Sequence, residues 1–578
     1  MHFFANWCGS AVSRLRATFA TLRLADGRVS RARIGVVVCG FALIYCVIAV
    51  RLTMLGMMPE TPDKRRMVAT DSMTLSRPDI FDSKGRLLAT DVESSMLYAE
   101  PNKKVGDVDE AVELITAVLP DVNANELRQK LLSKKGFVRI KREISPQQQS
   151  EIHRLGIPHI GFMRESKRVY PAGNEASHVL GHVNVDNQGI AGLEGWIDTG
   201  GLADLHLAGL ATGRALEPVS LALDLAVQHA LRDELLEAKE RYQANSTSGM
   251  VLNVRTGEIV AMVSLPDYDP NVPANSVDPT RLNRLTTGVY EMGSTFKALT
   301  VAMALDSGKA TLASQFDARA PLQYGEFTIN DFHAQHRVLS VPEIFTYSSN
   351  IGAAKMALAV GLDAHRAFLK KMGQLDRLKT ELPESAQPLV PKTWAEINTA
   401  TIAFGHGLSV APLQAVMATA ALVNGGFLIP PTFLKRSEAE AEAIATRVIK
   451  PETSEKMRYL LRLNVEKGTA ARAEVDGYYV GGKTGTSEKV VRGHYSHDKL
   501  LSVFMGVFPC DAPEYLVLVM VDEPKNWDDK KGQATAGLNA APTTGKIIAR
   551  IAPMLGVKPR RDLPAADHLI LASRRVAN

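Results

Sequence analysis

Only one segment of this 578-residue chain is long and apolar enough to leave water, and the rest must fold around that fact. Ile34 to Val50 is seventeen residues without a charge, and the apolar character resumes after Arg51 in Leu52, Met54, Leu55, Met57 and Met58. At about 1.5 Å of rise per residue, this is close to the shortest helix that crosses a bilayer. Arg14, Arg16, Arg23, Arg28, Arg31 and Arg33 precede it against the single acid Asp26. That bias predicts a cytoplasmic N-terminus (1–33), one transmembrane anchor (34–58) and export of everything beyond. The long charged leader, with no small-residue cleavage site before Arg51, argues against a removable signal peptide.

A single apolar run excludes a multispanning protein. Hydrophobic residues at 46% and charged residues at 22% describe ordinary globular material, enough for roughly two to four domains. A net charge of +5, with neither zinc-finger spacing nor a basic helix, gives no reason to expect a nucleic-acid partner. Of the four cysteines, Cys8 precedes the span, Cys39 and Cys46 lie in it, and only Cys510 is exported. One exported cysteine forms no internal disulfide, so the outer part depends on core packing, and the apolar approach to Cys510 predicts a buried thiol.

Residues 59–75, with Pro59, Pro62 and Lys64-Arg65-Arg66, read as a juxtamembrane linker. From 76 to 221 short strand-like pieces such as Ser95 to Tyr98 accompany an amphipathic helix near 107–133 and glycine-rich turns at 181–201. Residues 222–557 read as one α/β domain. Met250 to Val254 and Glu258 to Val263 flank a turn at Arg255-Thr256-Gly257 and predict a hairpin. Helical segments occupy 294 to about 420. Strands at Tyr478–Val490, Leu501–Phe508 and Tyr515–Val521 follow, and a helix over Thr544–Leu555 closes the domain. Strands at both ends of a domain imply one sheet assembled from distant segments. The tail, 558–578, shows no core pattern.

Three short motifs carry the chemistry. In Ser294-Thr295-Phe296-Lys297 a serine and a lysine three apart share one helix face, and an apolar run follows from Ala298. A serine hydroxyl needs a base, and a lysine serves if burial and neighbouring cations lower its pKa. Alone the pattern is weak, and Ser496-x-x-Lys499 also matches it, placed between two strands among polar neighbours. Ser348-Ser349-Asn350 precedes a helical stretch and by itself reads as a capping serine. Lys483-Thr484-Gly485-Thr486 lies on a glycine-rich strand that permits close backbone approach, with one cation and two hydroxyls to face a carboxylate. The order S-x-x-K, S-x-N, K-T-G is the set found in penicillin-binding proteins and class A β-lactamases.

With these motifs the chain resembles the class B penicillin-binding proteins, most of all the septal D,D-transpeptidases of the FtsI type. Asn283-Arg284 before Tyr290 to Lys297, the stretch Phe404 to Gln414, and in the preceding domain Arg77 to Ala89, Arg168 to Pro171 and His178 to His182 extend the similarity. Met292, Gly288, Ser83-Lys84 and Ala536 depart from the usual family residues. The resemblance implies an α/β multidomain chain with an α+β pedestal of dimerisation type at 76–221. It also implies a β-lactamase/transpeptidase-like domain at 222–557, with an antiparallel sheet between helices. The implied substrate is the peptidoglycan stem peptide ending in D-Ala-D-Ala, and β-lactams are the implied inhibitors.

The implied roles are nucleophile for Ser294, base for Lys297, and proton transfer to the leaving group for Ser348 and Lys483. Asn350 would position Lys297 and the substrate amide. Thr484, Gly485 and Thr486 would form the carboxylate-binding strand, and the backbone N–H groups of Ser294 and Thr486 would meet the oxyanion. Neither metal nor organic cofactor is implied. The membrane glycan polymerase FtsW is the implied partner, and the inner membrane, with the catalytic domain periplasmic, is the implied location. An elongation-type relative is the nearest alternative, ahead of a β-lactamase-like hydrolase, a β-lactam sensor or a division scaffold without activity.

Overall fold

The computed structural model describes residues 38–49, 51, 77–103, 105–201, 217–491, 493–525 and 534–570. The expected cytoplasmic segment 1–33 and linker 59–75 lie outside these residues, as does most of the expected anchor. Residues 38–49 are helical and exposed, with Val38, Phe41, Leu43, Ile44, Tyr45, Val47 and Ile48 all open to solvent. No helix among the described residues is long and apolar enough to cross a membrane.

From Arg77 onward the described chain packs as one compact unit. Its first part is built on β1 (Leu87–Ala99), which pairs antiparallel with β2 (Val138–Ile144) and with β3 (Ile160–Val169). The single helix expected near 107–133 is two, α1 (Val108–Val118) and α2 (Ala124–Leu131). Pro120 cannot continue a helix, and Asp107 and Asn123 each cap a new N-terminus by accepting backbone N–H bonds. Leu97, Ile115, Leu127, Ile144 and Ile152 close a small core beneath them. Beside it Glu194 is fully buried between two arginines, Arg77 at 2.8 Å and Arg168 at 2.7 Å.

The second part begins with α3 (Leu225–Arg241) and is centred on a five-stranded antiparallel sheet. The hairpin expected at 250–263 is β4 (Ser246–Asn253) and β5 (Ile259–Leu265). The late strands are β6 (Gly481–Val491), β7 (His494–Phe508) and β8 (Tyr515–Asp522), in the spatial order β6-β7-β8-β4-β5. Both faces of the sheet are covered, which is why β8 reads Tyr-Leu-Val-Leu-Val-Met-Val-Asp without polar alternation. Val517, Val519 and Val521 pack with Leu231, Leu235 and Ile548 on one face. Leu516, Leu518 and Met520 join the main core on the other.

Three helices matter on that second face: α4 (Lys297–Asp306), α5 (Asn350–Val360) and α6 (Pro412–Val423). Every residue of α6 is buried, as is all of α4 up to Leu305, so neither shows a one-sided apolar stripe. The long α7 (Pro451–Lys467) lies alongside, and α8 (Ala540–Met554) covers the opposite face. The main core runs on into the first part through Ile80, Leu88, Tyr170 and Leu193.

The tail is not without a core pattern. Ala566 is buried, Leu563, Leu569 and Ile570 pack against the main core, and Ala566 N donates to Glu466. Residues 571–578 lie outside the described chain.

Candidate active site

The sequence Gly293–Phe296 forms a tight turn that leads directly into α4. It leaves Ser294 half-exposed at the mouth and places Lys297, one turn on, with no exposure at all. Lys297 Nζ is ringed by four oxygens: Ser294 Oγ at 3.0 Å, Ser348 Oγ at 3.0 Å, Asn350 Oδ1 at 2.7 Å and the Ser348 carbonyl in closer contact. Asn350 Nδ2 donates to the Asn330 carbonyl, which turns Oδ1 towards the lysine. Two of the four oxygens are pure acceptors. A neutral amine has two N–H bonds for them and one lone pair left for a serine hydroxyl.

Burial is the main force holding the Lys297 pKa well below that of an ordinary lysine, and the Lys483 cation adds to it while Asp331 opposes. Lys483, also buried, is brought down to about 7 by desolvation. Its Nζ donates to Ser348 Oγ over 3.1 Å and to the Thr484 carbonyl over 3.2 Å. Ser348 Oγ therefore stands between the two lysines.

The capping role that the motif suggests falls to its second serine, not to Ser348. Ser349 caps α5, accepting from Gly352 N at 2.9 Å, while its hydroxyl donates to Asp331 Oδ2 at 2.7 Å. Asp331 Oδ1 accepts from Ile351 N, so one carboxylate anchors both ends of this turn. Ser348 itself adopts φ +58°, a left-handed conformation costly for a residue with a side chain. No motif in the sequence marks Asp331, which follows a short hairpin (322–329) that precedes the helix.

The strand β6 is an edge of the sheet, so its free backbone edge is open to pairing with an extended ligand. It does not present Lys483, Thr484 and Thr486 on one face. Alternation directs Lys483 and Gly485 towards α4 and Ser348, and sends Thr484 and Thr486 to the opposite side. There Thr484 Oγ1 lies 2.6 Å from Thr469 Oγ1, and Thr486 Oγ1 accepts from Ala536 N at 3.1 Å. Thr484 is buried and Thr486 half-buried. Sequence reasoning missed Thr469, which lies in the turn just past the end of α7 and has no motif of its own.

The decoy pair does not converge on anything. Ser496 lies within β7, not between strands, opposite Lys489, and Lys499 pairs with Glu523 at 3.8 Å. Cys510 is fully buried, and desolvation pushes its thiol up to about 12.

Two domain families match the chain. Residues 247–549 match the penicillin binding protein transpeptidase domain, and residues 73–193 match the penicillin-binding protein dimerisation domain. A protein of Caulobacter vibrioides described as a probable peptidoglycan D,D-transpeptidase FtsI is 40% identical, covering 84% of this chain and 83% of that one. The probable peptidoglycan D,D-transpeptidase PenA of Neisseria gonorrhoeae is 32% identical over 93% and 95% of the two chains. The FtsI of Escherichia coli, a peptidoglycan D,D-transpeptidase, is 28% identical over 86% of each. A solved peptidoglycan synthetase from Bifidobacterium adolescentis shares the fold, with a TM-score of 0.65 at 20% identity, covering 85% of this chain and 97% of that one. The chain belongs to the penicillin-binding protein transpeptidase family, with a dimerisation-type domain preceding the transpeptidase domain.

Proposed function

We propose that this protein is a serine-type peptidoglycan D,D-transpeptidase that cross-links stem peptides ending in D-Ala-D-Ala, and that it serves the division septum. The observation that carries the reading is the buried Lys297 amine, depressed in pKa and 3.0 Å from Ser294 Oγ. Lys297 Nζ takes the Ser294 proton as Oγ bonds to the penultimate D-Ala carbonyl carbon. The oxyanion sits between the backbone N–H groups of Ser294 and Thr486. As the C–N bond breaks, Lys483 supplies a proton through Ser348 Oγ to the departing D-Ala amine. Asn350 keeps Lys297 aimed and meets the substrate amide, while the terminal carboxylate lies along the open edge of the strand at Gly485 and accepts from the Thr486 hydroxyl, with Thr484 buried behind it against Thr469.

An amine of a second stem peptide then displaces Ser294. A β-lactam acylates the same oxygen, but its leaving nitrogen stays tethered, so Ser294 remains blocked. In this reading 76–221 is a pedestal, 222–557 the catalytic domain, and 34–58 an anchor that holds both on the periplasmic side of the inner membrane. The FtsI resemblance makes the membrane glycan polymerase FtsW the expected partner.

The test is labelling with a fluorescent penicillin. Ser294→Ala abolishes it and Ser496→Ala leaves it intact; full labelling of Ser294→Ala would refute the assignment.

A further inference from the structure

A second cluster adjoins the nucleophile turn around Glu291. The segment 404–407 is pressed against it: a Cβ at Gly405, where φ is +88°, would lie 2.0 Å from the Gly293 carbonyl oxygen. Gly407 N donates to Glu291 Oε1 over 2.7 Å, and the Tyr495 hydroxyl donates to the same oxygen over 3.0 Å. Ser487 Oγ, next to Thr486, donates to the Glu291 carbonyl. The imidazole of His406 is held between the rings of Phe404, edge-on at 5.2 Å, and Tyr495 at 5.6 Å.

Two polar atoms in this cluster are sealed from solvent and lack a hydrogen-bond partner, His406 Nε2 and Glu291 Oε2. A buried polar atom left unpaired is costly, and these two are complementary, since the carboxylate accepts and an Nε2–H donates. Catalytic hydrogen bonds are often long before substrate binds. With its proton on Nε2 the ring carries a lone pair on Nδ1, which is not among the sealed atoms.

We propose that His406 is the base of the second half-reaction, with Nδ1 taking the proton of the acceptor amine and Glu291 as the residue that positions its ring. The proposal rests on the transpeptidase reading. Lys297 is not free for this task, because it already holds the Ser294 proton once the acyl-enzyme has formed. The acceptor nitrogen bonds to the acyl carbon, one amine proton passes to His406 Nδ1, and the bond from carbon to Ser294 Oγ breaks. Lys297 returns its proton to Oγ. His406 then releases its proton to solvent, and solvent re-protonates Lys483.

The groups facing His406 are Glu291 from the turn, Lys297 from α4, Tyr495 from β7, and Glu488 from β6, itself paired with His497 at 2.6 Å. Burial lowers the His406 pKa most, Glu291 and Glu488 oppose this and Lys297 reinforces it, so the ring is neutral and able to accept a proton near pH 7.

The test uses the full chain in detergent with a D-alanyl thioester as donor and D-alanine as acceptor amine. Penicillin acylation is followed in parallel. His406→Gln is expected to lower the ratio of aminolysis to acylation by about tenfold or more and to erase the acid limb of the aminolysis pH profile. Glu291→Gln, which keeps an oxygen for Gly407 N and Tyr495, moves that limb to lower pH. A ratio unchanged in His406→Gln, or a limb unmoved in both variants, overturns the proposal. Failure of the wild-type protein to form a penicilloyl adduct at Ser294 would instead overturn the transpeptidase reading beneath it.

Discussion

Gly485 and Met292 meet backbone to backbone: a Cβ added at Gly485 would sit 2.6 Å from the Met292 carbonyl oxygen and 2.9 Å from Thr295 Cγ2. That contact sets the spacing between the edge strand and the nucleophile turn. Neither side yields, because one is main chain and the other is a buried threonine in the turn that leads into α4. Gly485→Ala therefore pushes the strand off the turn. A displacement near 1 Å costs on the order of a hundredfold in rate, so penicillin acylation is expected to fall by about that factor in a protein that still folds. Stopped-flow acylation kinetics with circular dichroism as the folding control check this.

Ser348 combines a strained backbone with a shared hydroxyl, and two substitutions separate these features. Ser348→Ala keeps the strain and removes the oxygen between Lys297 and Lys483, whereas Ser348→Gly also relieves the φ of +58°. If the hydroxyl is the working part, both variants lose about 10²–10⁴ in acylation rate and Ser348→Gly is the more stable of the two. Recovery of activity in the glycine variant would assign Ser348 a backbone role only.

The buried Lys483 links stability to pH. Its pKa is about 7 in the folded protein against 10.5 for a free side chain. Between these values the unfolded chain binds more protons than the folded one, so stability from this group rises with pH across the window. Lys483→Met lacks the effect. Thermal unfolding from pH 7 to pH 10 should show the wild-type Tm gaining on that of the variant, and parallel profiles would contradict the assignment.

Glu194 compensates two buried guanidinium groups, and Arg168 has no exposed side-chain surface. Removing the carboxylate in Glu194→Ala takes from each buried cation one of its two carboxylates, leaving Arg77 with Asp198 alone and Arg168 with Asp91 alone. The expected loss is about 3–5 kcal/mol by denaturant unfolding, with Glu194→Gln costing less because it retains an acceptor oxygen.

The parts of the site that were legible in the sequence are those where one residue type must recur at fixed spacing. Ser294 and Lys297 one turn apart, Ser348 and Asn350 across a helix start, and Lys483 on a glycine-rich strand all fall together around one amine. Residues that act by reaching across the fold were not legible. Asp331 and Thr469 meet the motifs through contacts 15 to 18 positions away that no local pattern encodes, and although Glu291 and His406 lie in stretches that resemble the family, the contact that joins those stretches spans more than 100 positions. In the fold, the hairpin at 250–263 and the three late strands were readable because their apolar runs are bounded by turns. The helix at 107–133 was overdrawn where Pro120 breaks it. The tail was missed because its few apolar residues dock singly onto a core built elsewhere.

Whether Ser294 is the nucleophile of an acyl-serine enzyme is read from the intact mass of the purified protein after incubation with penicillin, followed by peptide mapping. One stable penicilloyl adduct on the peptide containing Ser294 is expected. Penicillin consumed without an adduct, an adduct on the peptide containing Ser496, or no reaction at all would contradict it.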